Sequence, residues 1–273
     1  MKLQKKRMVL VLLFLLIVAA WAQAQDIQRQ LVESSTIEQI IKRGKIRVGM
    51  DVFVPWAMKD KNGKLVGFEI DVAQQLAEDM GIAVEFVPTK WSGIIPALIS
   101  GKFDVIIGGM SVNPKRNMKI NFTRPYYYTS QGVLANRKLT EGLALADFNK
   151  PGVTIAARLG STAAIAAKKE FPAATIRLFD DEPAAVQEVK NGRVMAMVSS
   201  QPLPNHMAAD APETLKSFSE QLNREPICFG VRKGDPDTLN FFNNWIETVT
   251  SKGWIDERYA YWFESTEWKN RIK

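Results

Sequence analysis

Cysteine and histidine are almost missing: the 273-residue chain has one of each, Cys228 and His206. A single cysteine excludes an internal disulfide even in an oxidising compartment. One histidine leaves no material for a zinc ligand cluster or for a Ser/His/Asp set with any choice of partners. Cys228 lies in the apolar run "ICFGV", where a buried, inert thiol is expected. His206 lies in "QPLPNHMAAD", which reads as a solvated loop. Low-complexity tracts and short repeats are also absent. Long apolar runs are scarce too. The longest extends from Met8 to about Ala20, shorter than the ~18 to 20 residues that cross a bilayer.

That run follows Lys2, Lys5, Lys6 and Arg7 and precedes Ala22-Gln23-Ala24, the three-part pattern of a secretory signal cut after Ala24. No cysteine stands at the cut, so a lipid anchor is excluded. Removing the four basic residues lowers the formal net charge from +7 to +3, too little to argue for nucleic acid as a partner. The mature chain is expected to be soluble outside the cytoplasmic membrane, and its length suits two modest cores.

What is present is a repeated α/β rhythm. "KIRVGM", "AVEFVPT" and "FDVIIGG" read as strands, separated by the helical stretches "GFEIDVAQQLAEDMG" and "WSGIIPALISG". In the second helix Ser92 is the expected N-cap, and Pro96 falls in a first turn that needs no amide. The rhythm returns in "VTIAA", a helix over 161–170, "ATIRLF", a helix over 181–190 and "RVMAMV". Strand–helix alternation of this kind builds a parallel sheet with crossover helices, so two α/β lobes are expected. "TRPYYYTSQG" and "LNREPICF" read as strands crossing between them, and the aromatic helices near the C-terminus as core packing.

In such sheets ligands bind beyond the carboxyl ends of the strands. There the first lobe places Gly108 and Gly109, whose backbone a ligand can approach closely, with Ser111 and with Arg116, able to grip a carboxylate by two parallel hydrogen bonds. The matching end in the second lobe, "RLGST", offers Gly160, Ser161 and Thr162 at a helix start that favours negative charge. Together they read as an anion clamp.

The segments "RVGMDVFVPWAM", "GKLVGFEIDVAQQLA", "WSGIIPALISGKFDVIIGGMSVNPKR", "INFTRPYY", "GVTIAARLGST" and "YAYWF" make the chain resemble the periplasmic solute-binding proteins of the polar amino-acid ABC transporter family. The resemblance implies a type II two-lobed fold closing on an amino acid or related carboxylate for delivery to a membrane ABC permease. It implies lobe 1 over 25–126 and 228–273 and lobe 2 over 127–227 with hinge strands at both ends. A periplasmic monomer without cofactor, metal or catalytic role is expected. The implied ligand-binding residues are Asp51, Phe53, Trp56, Trp91, Gly109, Met110, Ser111, Arg116, Arg158, Ser161, Thr162 and Ser200. Among them Arg116 matches the carboxylate-holding arginine. Gly109 and Ser111 match the loop that contacts both charged ends. Thr162 supplies an amide, Trp91 and Phe53 are aromatic walls, and Arg158 stands where some members reach the ligand side chain.

Two departures matter. The first loop, "MDVFVPW", is one residue shorter than usual, which puts the reach of Asp51 in question. After "RVMAMV", where the family carries the aspartate that pairs with the ligand ammonium, stand Ser199 and Ser200. A hydroxyl in that place forfeits a charge-assisted bond of about 1.5 to 3 kcal/mol unless another acid substitutes. Asp51 and Glu69 are the candidates, with Glu69 more at home at its helix start. The alternative to a binding protein is an enzyme like the cyclohexadienyl dehydratases, which share the fold and need a general acid. No second-lobe carboxyl is found for that task among Met195, Ser199 and Ser200, and a sensory binding protein is the other alternative.

Overall fold

A computed structural model describes residues 35–272 together with Ile17, Trp21 and Gln23. Apart from those three positions, the expected secretory signal over 1–24 lies outside the described residues. Among the described residues no helix is long and apolar enough to cross a membrane.

In chain order the first unit runs α1 (Thr36–Arg43), β1 (Lys45–Met50), a hairpin of β2 (Met58–Lys59) and β3 (Leu65–Val66), α2 (Phe68–Asp79), β4 (Ala83–Pro88), α3 (Ile94–Ile99), β5 (Val105–Ile106), α4 (Pro114–Asn117) and β6 (Asn121–Phe122). β7 (Tyr127–Thr129) then leads to β8 (Gln131–Asn136), β9 (Thr154–Arg158), α5 (Thr162–Glu170), β10 (Thr175–Phe179), α6 (Glu182–Lys190), β11 (Ala196–Ser200), α7 (Leu203–Asp210) and β12 (Leu215–Ser217). The chain returns through β13 (Glu225–Ile227) to β14 (Gly230–Val231), α8 (Pro236–Ser251), α9 (Trp254–Tyr259) and α10 (Lys269–Ile272).

Two five-stranded mixed sheets result, ordered β4-β1-β5-β14-β6 and β10-β9-β11-β8-β12. In each, three parallel strands run side by side with the earliest in the middle, and the other two extend the sheet through antiparallel pairings. That order makes each sheet's own topological switch point, where strand ends leave a crevice for a ligand. β7 and β13 pair antiparallel, Glu225 opposite Thr129 and Ile227 opposite Tyr127, as the two strands that join the units.

Several helix ends are set by local side chains and backbone. Ser35 caps α1 through the Glu38 amide, and Gly44, at φ 65°, ends it in the left-handed conformation that glycine adopts freely. Asp181 caps α6 through the Ala184 amide. Phe242 and Trp245 of α8 and Trp262 and Phe263 beyond α9 are buried core residues.

Other readings change. Ser92 is not an N-cap: Trp91–Gly93 form a 3-10 turn, and the cap of α3 is Gly93, without a side-chain bond. Ser199 and Ser200 lie inside β11, because the strand starts at Ala196 where pairing with β8 begins. His206 is not in a solvated loop. It sits on α7, buried, with its ring edge-on to Trp268 at 5.4 Å, while Lys269 bonds Asp210 at 2.8 Å. Burial, and then the nearby Lys269 charge, hold its imidazole below the ordinary value.

The turn entering α2 makes a tight backbone approach to the loop that follows β1. Gly67 has φ 138°, and a Cβ there would fall 2.3 Å from the Trp56 carbonyl oxygen. The closeness lets the Phe68 and Glu69 amides bond the Pro55 and Trp56 carbonyls, which fixes the loop carrying Phe53 and Trp56. Gly67→Ala is therefore expected to destabilise the chain by about 2 to 4 kcal/mol, read as a lower urea midpoint at unchanged m-value. An unshifted midpoint would show that this loop relaxes freely.

Candidate functional site

The loop after β5 is held by the returning joining strand. Cys228 N–H donates to the Met110 carbonyl at 3.1 Å, Val112 N–H to the Pro226 carbonyl at 3.2 Å, and Ser111 bridges to Ile227. This pairing brings Ser111 beside Glu225, whose Oε2 accepts the Ser111 hydroxyl proton. Gly109 takes φ 72° to make the turn, and a Cβ there would crowd Phe53 and Trp56 at 3.3 Å. Asn113 caps α4 by accepting the Arg116 amide. The Arg116 side chain then turns inward. Its Nη1 donates to the Ser111 carbonyl at 2.7 Å and its Nη2 to the Gly160 carbonyl of the second unit at 3.1 Å. Burial lowers its pKa to about 10, partly offset by Glu225, so it stays charged at neutral pH.

From the second unit, Thr162 Oγ1 donates to Glu225 Oε2 at 2.7 Å and lies 3.5 Å from Ser111 Oγ. Gln131 Nε2 reaches Thr162 Oγ1 at 3.3 Å and Ser200 Oγ at 3.0 Å, Gln131 and Ser200 being cross-strand partners in β8 and β11. Asn223 Nδ2 donates to Glu225 Oε1 at 2.7 Å. Gln131 Oε1 is buried without a hydrogen-bond partner. The Ser161 hydroxyl is used otherwise, capping α5 through the Ala164 amide and donating to the Arg158 carbonyl at 2.6 Å.

A second cluster adjoins the first. The Arg158 guanidinium carbon lies 4.6 Å from the Phe53 ring centre and 4.7 Å from that of Trp91. Its Nη1 is 3.3 Å from Asp51 Oδ2, and its Nε is 3.6 Å from Glu182 Oε1. Asp51 thus reaches the cleft despite the short loop, and the Trp91 amide, bonded to Asp51 Oδ2 at 3.0 Å, holds it there. Burial raises the Glu182 carboxyl above its ordinary value, against the pull of Arg158. Beside Trp91 and Arg116 a cavity of about 370 Å³ opens between the units, lined also by Met110, Gly160 and Ser161.

Behind this layer stands an aromatic support. Trp56 is buried, stacked on Phe53 with ring centres 4.4 Å apart, and its Nε1 donates to the Tyr127 hydroxyl at 2.7 Å. Glu69 does not face the cleft. Its buried carboxyl accepts the hydroxyls of Tyr126 at 2.6 Å and Tyr127 at 2.9 Å and the Gly109 amide. Burial pushes Glu69 up to about 7, with those three donors pulling the other way. One carboxyl thereby ties the loop after β5 to the start of the joining strand.

Sequence reasoning missed Glu225, Gln131 and Glu182. The reading that the second unit has no carboxyl to offer is corrected by Glu182, which accepts from Ser199 at 3.1 Å, and Glu225 adds a carboxyl from the joining strand. For Glu225 a signal existed: an acid that opens the apolar run "PICF" is out of place unless a charge or donor awaits it.

The model of the bacterial extracellular solute-binding proteins, family 3, matches residues 46–265. The L-cystine-binding protein TcyJ of Escherichia coli (strain K12) is 27% identical over 237 residues, 86% of this chain and 88% of its own. Two solved structures superpose well. One is the ancestral amino-acid-binding protein AncCDT-1, described as a precursor of cyclohexadienyl dehydratase, at 42% identity, TM-score 0.76, with 84% of this chain and all of the other covered. The other is a binding component of an ABC transporter from Wolinella succinogenes complexed with lysine, at 37% identity, TM-score 0.79, with 84% and 99% covered. The chain belongs to the family-3 bacterial extracellular solute-binding proteins, and its fold is their two-lobed α/β type.

Glu69 gives the site a pH signature. Its folded-state pKa near 7 exceeds its ordinary 4.5, so the folded protein holds this proton more tightly than the unfolded chain. That contribution is complete below about pH 4.5 and is lost as pH rises through 7. Relative to Glu69→Gln, the wild-type chain is expected to lose about 2 kcal/mol of unfolding free energy between pH 5 and pH 8. Urea titrations of both proteins check this, and a constant difference would place the Glu69 transition elsewhere.

Proposed function

We propose that this solute-binding protein captures an α-amino acid in the cleft between its lobes, in the periplasm, and presents it to a membrane ABC permease without chemical turnover. The reading rests on one observation: buried Arg116 and buried Glu225 meet in a site built from both lobes and a joining strand. Two of the five N–H donors of Arg116 serve carbonyls, which leaves donors for a carboxylate. The hydroxyls of Ser111 and Thr162 flank it.

Glu225 supplies the negative charge for an α-ammonium, with Gln131 Oε1 as a second acceptor. The acid expected near Ser200 thus comes from the joining strand instead. On binding, Ser111 and Thr162 exchange Glu225 for the ligand carboxylate, and Glu225 turns to the ammonium. Because Arg116 also bonds Gly160 across the cleft, the site is complete only when the lobes meet, so ligand affinity biases the chain toward closure. Lobe 2 in this reading spans 127–227, the joining strands act as hinges, and the protein works as a monomer. Binding without turnover is supported by the relatives, among them the L-cystine-binding protein TcyJ and the lysine-complexed transporter component, which are binding proteins.

A thermal-shift screen of the twenty amino acids should find stabilising ligands, since a tight ligand raises the melting temperature. In calorimetry Arg116→Ala is expected to remove measurable binding, because a buried, charge-assisted contact is worth about 2 to 5 kcal/mol. Glu225→Gln should weaken it roughly ten- to a hundred-fold. Unchanged affinity in Arg116→Ala removes the clamp, and turnover of prephenate or arogenate by the purified protein would overturn the non-enzymatic reading.

A further inference from the structure

Arg158 begins in the second lobe and ends among groups of the first. Its guanidinium lies over Phe53 and Trp91, at Asp51 and beside Glu182. Two aromatic faces and two carboxylates are what a desolvated cation requires. Here the chain provides the cation itself, from the end of β9, immediately beside the clamp formed by Arg116 and Thr162. Arg158 is almost fully buried, so this is a packed position and not a surface excursion.

We infer that Arg158 is a built-in stand-in for a cationic ligand side chain, so that the cleft rejects lysine and arginine and selects amino acids with an uncharged polar side chain. The inference rests on the amino-acid reading above and specifies the side chain. A ligand cation entering this region meets the Arg158 charge without a free carboxylate, because Asp51 and Glu182 are already engaged. An acidic side chain meets those two carboxylates against one guanidinium. An uncharged side chain bearing an oxygen acceptor fits both constraints, since the buried Nε of Arg158 has no hydrogen-bond partner and would gain one.

Calorimetry of the wild-type chain, Arg158→Ser, and Arg158→Ser with Glu182→Gln against glutamine, asparagine, glutamate, lysine and arginine tests this. The double variant guards against loss of folding when Asp51 and Glu182 are left without their partner. The wild-type chain should bind an uncharged polar amino acid at least a hundred-fold more tightly than lysine or arginine. At least one variant that melts cooperatively should gain ten-fold or more for lysine or arginine. Wild-type binding of lysine or arginine as tight as the variants' overturns the inference, as does a preference for glutamate or the lack of a gain in every folded variant. In those three cases amino-acid binding itself stands. If no amino acid binds wild type or variants, the amino-acid reading fails too, and Arg116→Ala then has nothing to abolish.

Discussion

The pairing of the 110–112 loop with the joining strand 225–227 is the contact on which the site depends. Two backbone hydrogen bonds, Cys228 to Met110 and Val112 to Pro226, make the Ser111–Ile227 bridge and set the loop after β5 against the strand that returns from the second lobe. Glu225 is carried into the cleft by this register, and Ser111, Thr162 and Asn223 surround it because the register leaves them there. A one-residue slip would turn that carboxylate to the other face of its strand. Arg116 completes the arrangement by spanning from the Ser111 carbonyl to that of Gly160, so the same loop senses the joining strand and the opposite lobe at once.

Charge burial sets the second constraint. Arg116, Arg158, Glu182 and Glu225 are all withdrawn from solvent, where an unpaired charge is costly. The structure answers with pairing: Arg158 with Asp51 and Glu182, Glu225 with hydroxyl and amide donors beside Arg116. Glu69, one layer back, accepts from neutral donors, and burial outweighs them. It is correspondingly the acid whose proton is held near neutrality. In the proposed function, a ligand carrying both charges in fixed geometry suits such a cleft because it exchanges one set of pairs for another and leaves no charge bare.

Much of the fold was legible in the residues. Strand–helix alternation and the helices expected over 161–170 and 181–190 rest on local signals, and the structure forms them as Thr162–Glu170 and Glu182–Lys190. Arg116 and Thr162 were legible for a similar reason, since both lie on the helices that follow the parallel strands β5 and β9, on the side where such sheets bind ligands. Boundaries were less legible. β11 begins later than its apolar run because pairing with β8, not composition, defines it. His206 was misread because the Trp268 that covers it lies 62 residues further along the chain.

Sequence alone determined the fold class, the strand ends where a site would form and the sign of the charge that Arg116 brings there. These follow from periodicity, caps and glycine placement, all properties of a few neighbouring residues. Tertiary structure alone decided which acid faces that charge. Glu225 is 109 residues from Arg116, and only antiparallel pairing across the joining strands brings it to the clamp. The same holds for Arg158, whose partners Asp51, Phe53 and Trp91 come from the opposite lobe: where a long side chain comes to rest depends on what the other lobe offers it.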